Sequence, residues 1–317
     1  KGYIADPEHL LPTSPTLVLD AASGALSIAN SDLAQEVFAA EFPTSDVMSV
    51  WQQKGLPVAF ADVLTKEVYC SQVATPTPPS LKLPLFEYQT VGFQHSAYRR
   101  GFLIADTPGL GKTPQGIAVA LAAMNEGLQV SLSDLPVTPS RVVIICPAAV
   151  RSQWLSELRK FAGIEALEIA GDSQTRARQV KRALLTPRSW SILHYDILYR
   201  DLDALLPLTK DAFLVLDEVH NVRNPEAQRT IATANLRAHA LGCVGLSGTP
   251  MDNRPDELHA VMNLIHPGLL GDRETFQKSY MNQLPGGAFI GYKHLDLLKV
   301  RMAPHMVHRT KAEVAPD

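Results

Sequence analysis

Two closely spaced glycines followed by a lysine and a threonine form the strongest candidate for a chemically active site in this sequence. An apolar stretch leads into Gly109, Gly111, Lys112 and Thr113. Glycines let backbone N–H groups wrap around phosphate oxygens, and the N-terminus of a following helix adds positive potential. In such a loop Lys112 would reach the β- and γ-phosphates, and the Thr113 hydroxyl would hold Mg²⁺. The pattern predicts a site for a nucleoside triphosphate with its magnesium ion.

The loop departs from the general phosphate-loop pattern at one position. That pattern has glycine six residues before the lysine, where this chain has Asp106. Pro114 is compatible with the loop, because the first turn of a helix tolerates a missing N–H. A glycine-rich turn with a surface lysine is the alternative interpretation. The strand–loop–helix context favours the nucleotide site.

Two acidic residues end a second apolar run. Asp217 and Glu218 follow Ala212–Leu216. Asp217 can order Mg²⁺ through its water shell, and Glu218 can polarise an attacking water. Acids that merely cap a strand are the alternative. Because the carboxyl ends of parallel strands meet at one edge of a sheet, we expect Lys112, Asp217 and Glu218 to converge on a single triphosphate.

Small polar residues follow a third apolar run. Ser247 and Thr249 lie in the segment Gly245–Pro250. Their hydroxyls can switch hydrogen bonds between a nucleotide and a substrate site, and we expect His220 to couple the acid pair to Ser247 or Thr249. Taken alone, this segment is more typical of a plain turn.

The elements that must position these residues alternate between strands and helices after residue 85. Near-continuous apolar runs are typical of parallel strands covered on both faces. They predict strands at 101–106, 141–146, 166–170, 190–194, 212–217 and 242–247. The intervening stretches predict helices at 114–125, 150–161, 174–185, 196–205, 225–237 and 255–265. This alternation predicts an α/β fold with a doubly wound parallel sheet.

Four segments differ in composition and pattern. They are residues 1–73, 74–84, 85–271 and 272–317. The first predicts a small α+β accessory domain with a hairpin formed by Thr16–Asp20 and Ala25–Ala29, followed by a short helix from 32 to 40. The second is rich in proline and predicts a linker. The third predicts the nucleotide-binding lobe, and the last predicts a tail of short helices and loops.

Composition excludes several classes of protein. The chain has 317 residues, with 29 basic and 32 acidic side chains and a net charge of −3. A generally cationic nucleic-acid binder is therefore excluded, and any nucleic-acid contact must come from a local patch. No apolar run reaches the roughly 18 residues that a membrane span needs, so no membrane partner is expected.

The cysteines indicate a reducing environment. Cys70, Cys146 and Cys243 contain no C-x-x-C pair, which argues against a disulfide framework or a cysteine zinc site. We expect a cytoplasmic or nucleoid-associated protein of a bacterial or phage-infected cell. The chain begins with lysine rather than methionine, so we expect further residues upstream.

Two basic segments are candidates for nucleic-acid contact. Arg151, Ser152 and Gln153 follow a predicted strand at the start of a helix, a geometry suited to a phosphate group. The stretch Arg176–Arg188 is also basic, but a solvated helix face is the favoured interpretation there.

These motifs, in their order along the chain, resemble motifs I, II and III of helicase superfamily two. They read DTPGLGKT, DEVH and SGTP. Further segments are similar to the Swi/Snf family of DNA-dependent ATPases. Leu85–Phe93 looks like its glutamine motif, Cys146–Trp154 like its motif Ia, Ser247–Gly271 like the block after motif III, and His305–Val314 like the segment that closes the first lobe. The likeness covers residues 82–317, and the joint match is highly specific.

The resemblance implies the first RecA-like lobe of a double-stranded-DNA translocase or helicase that uses ATP and Mg²⁺. It implies Gln89 as the reader of adenine and the backbone contacts Gly109, Leu110 and Gly111 on phosphate. It also implies a second RecA-like lobe, in the same chain or in another. Without the arginines of that lobe, we expect this chain to hydrolyse ATP very slowly or not at all.

The sequence departs from the family at two places. Thr107 and Pro108 replace the usual Glu and Met of the loop, and Phe86 replaces an arginine of the glutamine motif. Two alternatives to the motor lobe stay open. The first is a nucleotide-binding interaction module without turnover, and the second is a lobe of a superfamily-two RNA helicase.

Overall fold

The computed structural model divides the chain into two compact units, Lys1–Tyr69 and Cys70–Asp317. In the first unit it describes three strands, and nothing else there is described. In the second unit the described residues are 76–128, 136–248, 255–283 and 289–314.

The first unit contains a three-stranded antiparallel sheet in the order β1-β2-β3. Its strands are β1 (Tyr3–Ile4), β2 (Thr16–Leu19) and β3 (Leu26–Ala29). Strands β2 and β3 pair from Thr16 opposite Ala29 to Leu19 opposite Leu26, so the predicted hairpin is confirmed. The helix predicted over 32–40 lies outside the described residues.

A parallel sheet of seven strands forms the centre of the second unit. The strands of this unit are β4 (Gly101–Ile104), β5 (Arg141–Cys146), β6 (Leu167–Glu168), β7 (Trp190–His194), β8 (Ala212–Leu216), β9 (Gly242–Leu246), β10 (Met281–Gln283), β11 (Phe289–Tyr292) and β12 (Met306–Val307). The sheet runs in the order β12-β4-β9-β8-β5-β7-β6, and each neighbouring pair is parallel. Strands β10 and β11 form a separate antiparallel pair.

The helices of the second unit follow the predicted alternation closely. They are α1 (Glu87–Ser96), α2 (Lys112–Glu126), α3 (Arg151–Ala162), α4 (Ser173–Leu185), α5 (Tyr195–Leu198), α6 (Leu202–Thr209), α7 (Gln228–Ala238), α8 (Pro255–Ile265), α9 (Arg273–Tyr280), α10 (Leu295–Met302) and α11 (Lys311–Val314). The single helix predicted over 196–205 is instead the pair α5 and α6. Asp201 lies at the break with a non-helical backbone and pairs with Arg176 of α4. None of these helices has the length and apolar character that crossing a membrane requires.

Alternate residues of the central strands face opposite sides of the sheet, as the two-residue period of a strand requires. Val142 and Ile144 of β5 join one apolar cluster with α1, α2 and α3, whereas Val143 and Ile145 join the other with α4 to α8. All four side chains are completely buried. Helices therefore cover both faces, and the predicted doubly wound parallel sheet is confirmed.

The C-terminal part adds a strand to the sheet that the sequence pattern did not predict. Strand β12 has two residues, too few to show a period, and it pairs with β4 at the sheet edge. The backbone pairing continues beyond it, because the N–H groups of Ala105 and Thr107 donate to the carbonyls of Val307 and Arg309 at 2.7 and 3.0 Å. The end of the described chain thereby runs beside the start of the glycine loop.

Candidate nucleotide-binding site

The glycine loop between β4 and α2 has a backbone suited to an anion. Gly109 and Gly111 have φ values of 91° and 67°, in the left-handed region that glycine adopts without strain. Helix α2 begins at Lys112, which Thr113 follows, and it has no side-chain cap and no acidic residue in its first turn. Its first N–H groups are therefore left for an external acceptor, and an anion there is favoured by the helix dipole.

Lys112 lies inside this loop with its ammonium group directed at the strand end. Its Nζ donates a hydrogen bond to the backbone oxygen of Asp106 at 2.9 Å. Burial lowers the pKa of Lys112, while the nearby carboxylates of Glu218, Asp106 and Asp217 act in the opposite direction. The ammonium group is thus a half-buried cation that interacts with both members of the acid pair.

Asp217 follows β8 and is held by donors from two other elements. The Trp154 indole N–H donates to its Oδ2 at 2.7 Å, and the N–H of Glu218 donates to its Oδ1 at 3.0 Å. The Tyr195 hydroxyl donates to its backbone oxygen at 2.8 Å. Burial raises the pKa of Asp217, against the effect of these hydrogen bonds. A cation at this position would favour the ionised form.

Trp154 is a site residue that the sequence analysis did not single out. It is 1% exposed, as a core residue would be. Its position four residues into α3 was visible in the sequence, and a buried indole N–H needs an acceptor. That requirement was the signal that could have directed attention to a nearby acid.

Glu218 has a left-handed backbone, with φ 48° and ψ 52°. The N–H and side-chain amide of Asn221 donate to its carbonyl at 2.9 and 2.8 Å, which holds this unusual conformation. A hydrogen bond with His220 lowers the pKa of Glu218, and burial acts in the opposite direction. The strained backbone re-aims the side chain at the strand end, which is common where a side chain has a specific task.

His220 lies between the acid pair and the segment after β9. Its Nδ1 is 3.2 Å from Glu218 Oε2 and 3.3 Å from Ser247 Oγ. The structure therefore brings together three of the predicted residues in one hydrogen-bonded group. Thr249, the other predicted coupling residue, lies outside the described residues.

The loop after β9 touches the glycine loop directly. A β-carbon added to Gly248 would lie 2.9 Å from Pro108 Cγ and 3.4 Å from Lys112 Nζ. The backbone N–H of Gly248 also donates to the Glu218 carboxylate. Strands β4, β9 and β8 are neighbours in the sheet, so their carboxyl ends place Lys112 beside the acid pair as predicted.

Asp106, which stands where the general pattern has glycine, forms a buried charge pair. It is fully buried, and Arg309 Nε donates to its Oδ1 at 2.9 Å. Gln115 of α2 donates to its Oδ2 at 3.0 Å, and Arg309 also donates to the oxygen of Gln115 and to the Tyr88 carbonyl. The aspartate is therefore a support of the loop, and Arg309 is a second residue that sequence reasoning missed.

The Gln89 carboxamide is bonded within the protein at both ends. Its Oε1 accepts from the N–H of Phe86 at 3.0 Å, and its Nε2 donates to the Leu110 carbonyl at 3.2 Å. A β-carbon added to Gly111 would lie 2.3 Å from Nε2, so the amide packs tightly against the loop. In this arrangement Gln89 positions the loop backbone.

The predicted nucleic-acid contacts lie at the start of α3. Ser152 and Gln153 are exposed there, and this helix has no side-chain cap at its N-terminus. Arg151 is less available, because it forms an ion pair with Glu168 at 2.9 Å. In the basic stretch of α4, Arg176 pairs with Asp201, while Arg178, Lys181 and Arg182 are exposed.

A parallel sheet that presents a phosphate loop and an acid pair at one edge defines a RecA-like lobe. The chain belongs to the family of the SNF2-related domain, whose model matches residues 51–317. The resemblance to the Swi/Snf family is thereby confirmed.

Relatives and solved structures agree with this family. The chain is 30% identical over 256 residues to the TATA-binding protein-associated factor BTAF1 of Arabidopsis thaliana, covering 75% of this chain and 12% of that protein. It is 28% identical over 239 residues to the DNA repair and recombination protein RAD54B of Gallus gallus, covering 75% of this chain and 24% of that protein.

The SWI2/SNF2 ATPase core of Sulfolobus solfataricus in complex with dsDNA is 28% identical, with a TM-score of 0.59 over 75% of this chain and 47% of that chain. A second structure, of the SWI2/SNF2 ATPase core domain of the same organism, matches with a TM-score of 0.56. The chain thus spans less than half of the solved cores and a smaller share of the curated relatives.

The Asp106–Arg309 pair generates a prediction about stability. Arg309→Ala leaves the Asp106 carboxylate buried without its cation, and we expect the free energy of unfolding to fall by about 3–5 kcal/mol. Arg159→Ala removes an exposed ion pair with Glu165 and should change it little. Urea denaturation of the 317-residue chain measures both.

Asp106→Asn in the Arg309→Ala background removes the uncompensated charge and should recover part of the loss. An Arg309→Ala chain as stable as the Arg159→Ala chain would contradict the assignment.

Proposed function

We propose that this chain is the ATP-binding first motor lobe of a DNA-dependent ATPase that translocates on double-stranded DNA. The observation that carries the proposal is the convergence of Lys112, Asp217 and Glu218 at one edge of the sheet, beside an uncapped helix N-terminus. Membership of the SNF2-related family supports ATP as the nucleotide.

The residues at this edge fit a magnesium triphosphate. The backbone N–H groups of Gly109, Leu110 and Gly111 would face the phosphates, and Pro114 leaves the first turn of α2 intact. Lys112 would exchange its bond to the Asp106 carbonyl for a bond to phosphate oxygens. Thr113 and Asp217 supply the oxygen donors that Mg²⁺ prefers. When bound, the ion neutralises charge on the phosphates.

Glu218 would orient the water that attacks the terminal phosphorus. Its lowered pKa keeps the carboxylate ionised near neutral pH, so it can accept a hydrogen bond and then a proton from that water. The products are ADP and inorganic phosphate. His220, between Glu218 and Ser247, would transmit the state of this carboxylate to the segment after β9.

We propose that turnover needs a second RecA-like lobe, in the same chain or in another. An arginine supplied to the transferred phosphate is worth about 10³- to 10⁵-fold in rate in related phosphoryl transfers. With its own residues alone, this lobe would bind the nucleotide and hydrolyse it very slowly.

DNA would contact the start of α3 through Ser152, Gln153 and Arg151. The support is the exposure of the first two and the uncapped N-terminus of this helix, which favours a phosphate group. Arg151 would have to leave Glu168 to take part. One solved neighbour, the Sulfolobus solfataricus core, is in complex with double-stranded DNA, which favours DNA over RNA as the partner.

Two variants separate nucleotide binding from hydrolysis. Lys112→Ala removes the phosphate cation, and we expect ATP affinity to fall at least about tenfold. Glu218→Gln keeps the shape of the side chain, so it should bind ATP as the unaltered chain does. When the second lobe is added, DNA-stimulated ATP hydrolysis by the Glu218→Gln variant should be about 10²- to 10⁴-fold slower than that of the unaltered chain.

Fluorescence titration and phosphate release measure these effects, and Glu274→Gln on the surface of α9 serves as the matched control. Absence of DNA stimulation, or equal activity in Glu218→Gln, would contradict the motor function.

The bonds of Gln89 generate a prediction about base selectivity. Both ends of the Gln89 amide bond to backbone groups, so the amide positions the loop and leaves no free hydrogen-bonding edge for a base. We therefore expect Gln89→Ala to weaken ATP and GTP binding by a similar factor, about fivefold. Gln174→Ala, exposed on α4, is the control. A loss confined to ATP would instead support adenine reading, the role that the family resemblance implies.

The DNA contact can be tested within one helix. The double variant Ser152→Glu and Gln153→Glu places two carboxylates at the proposed phosphate site, and we expect double-stranded DNA affinity to fall at least about tenfold at low salt. Ser156→Glu adds a carboxylate to an exposed position one turn further along α3 and should have a much smaller effect. Fluorescence anisotropy measures both, and equal losses would place the contact elsewhere.

A further inference from the structure

The C-terminal segment, His305–Val314, runs beside β4 and reaches the phosphate loop. Its backbone pairs with β4 and with Thr107, the first loop residue after Asp106. Arg309 anchors it to the buried Asp106 carboxylate. Two residues further on, Lys311 begins α11.

The start of α11 is held by local hydrogen bonds. The N–H and hydroxyl of Thr310 donate to Glu313 Oε2 at 2.6 and 2.9 Å. The side chains of Thr310 and Glu313, on either side of Lys311, are therefore hydrogen-bonded to each other. This fixes the backbone from which the Lys311 side chain extends.

The Lys311 side chain lies against a phosphate-loop glycine. A β-carbon added to Gly109 would be 3.3 Å from Lys311 Cε and 3.4 Å from its Nζ. Gly109 is exposed and has a positive φ, so both its conformation and the nearby lysine disfavour a larger residue. Within the described part of the chain, no acidic side chain pairs with the Lys311 ammonium group.

We propose that Lys311 is a second cationic phosphate contact of the nucleotide site, supplied by the C-terminal segment. An ammonium group with no acidic partner among the described residues, beside a loop whose N–H groups suit an anion, has a phosphate as its natural partner. This rests on the proposed function, because the phosphate belongs to the bound nucleotide.

A consequence of this contact is that nucleotide binding and docking of the C-terminal segment are coupled. Arg309 holds the segment whether or not nucleotide is bound, whereas Lys311 adds a bond only when phosphate is present. A ligand that binds the docked form more tightly stabilises it by that difference in affinity. Nucleotide bound in the loop would therefore make the docked form of the C-terminal segment more stable.

Affinity measurements test the phosphate contact. Lys311→Gln removes the charge and leaves a somewhat shorter polar side chain, and we expect ATP and ADP to bind about three- to tenfold more weakly. AMP, which lacks the outer phosphates, should bind unchanged. Lys311→Arg should retain most of the affinity, and Lys210→Gln, at an exposed position after α6, is the control.

Hydrogen exchange tests the coupling independently of affinity. At saturating ADP, amide exchange in residues 306–314 should slow in the unaltered chain. In Lys311→Gln that protection should be lost, while residues 109–116 stay protected. A lysine that is merely solvated would leave both patterns unchanged.

The outcomes separate the two proposals. If the unaltered chain binds no nucleotide, the proposed function fails and this inference fails with it. If the unaltered chain binds, Lys112→Ala does not, and Lys311→Gln matches the unaltered chain in affinity and protection, only the inference about Lys311 is overturned.

Discussion

The buried ion pair between Asp106 and Arg309 is the interaction on which the candidate site depends. Asp106 has no access to water where β4 becomes the phosphate loop, and its charge is compensated by an arginine 203 residues later. Removing a carboxylate from water is unfavourable by several kcal/mol unless a cation and further donors surround it. Arg309 and Gln115 meet this need, and in doing so they join the loop, α2 and the C-terminal segment into one structure.

Opposed electrostatic effects prepare the edge of the sheet for a highly charged ligand. Burial lowers the pKa of Lys112 and raises the pKa of Asp217, so each buried charge is less favourable there than in water. The two groups interact with each other, and a magnesium triphosphate would offer each a stronger partner. The uncapped N-terminus of α2 adds the same preference for an anion. The charged groups of the site are thus only partly compensated by interactions within the protein, and a bound ligand would replace some of these interactions.

Periodicity and glycine placement were enough to predict most of the α/β sheet. The bounds of β5 and β7 agree with the predicted strands, because apolar runs of this short length are typical of buried strands. Strand β12 escaped prediction because two residues carry no period, and its pairing depends on β4, far away in sequence. The helix predicted over 196–205 is interrupted at Asp201, which pairs with Arg176 of α4, a contact between distant segments that a local pattern cannot reveal.

The chemistry at the sheet edge was likewise predictable in part. The sequence alone determined which residues stand at the ends of strands, because glycine conformation and strand period are local properties. It therefore placed Lys112 with Asp217 and Glu218, and His220 with Ser247. Only the tertiary structure decided that Trp154 donates to Asp217, that Gln89 holds the loop, and that Arg309 compensates Asp106. Those partnerships follow from desolvation, which arises only when distant segments bury each other, so local sequence does not identify the two partners.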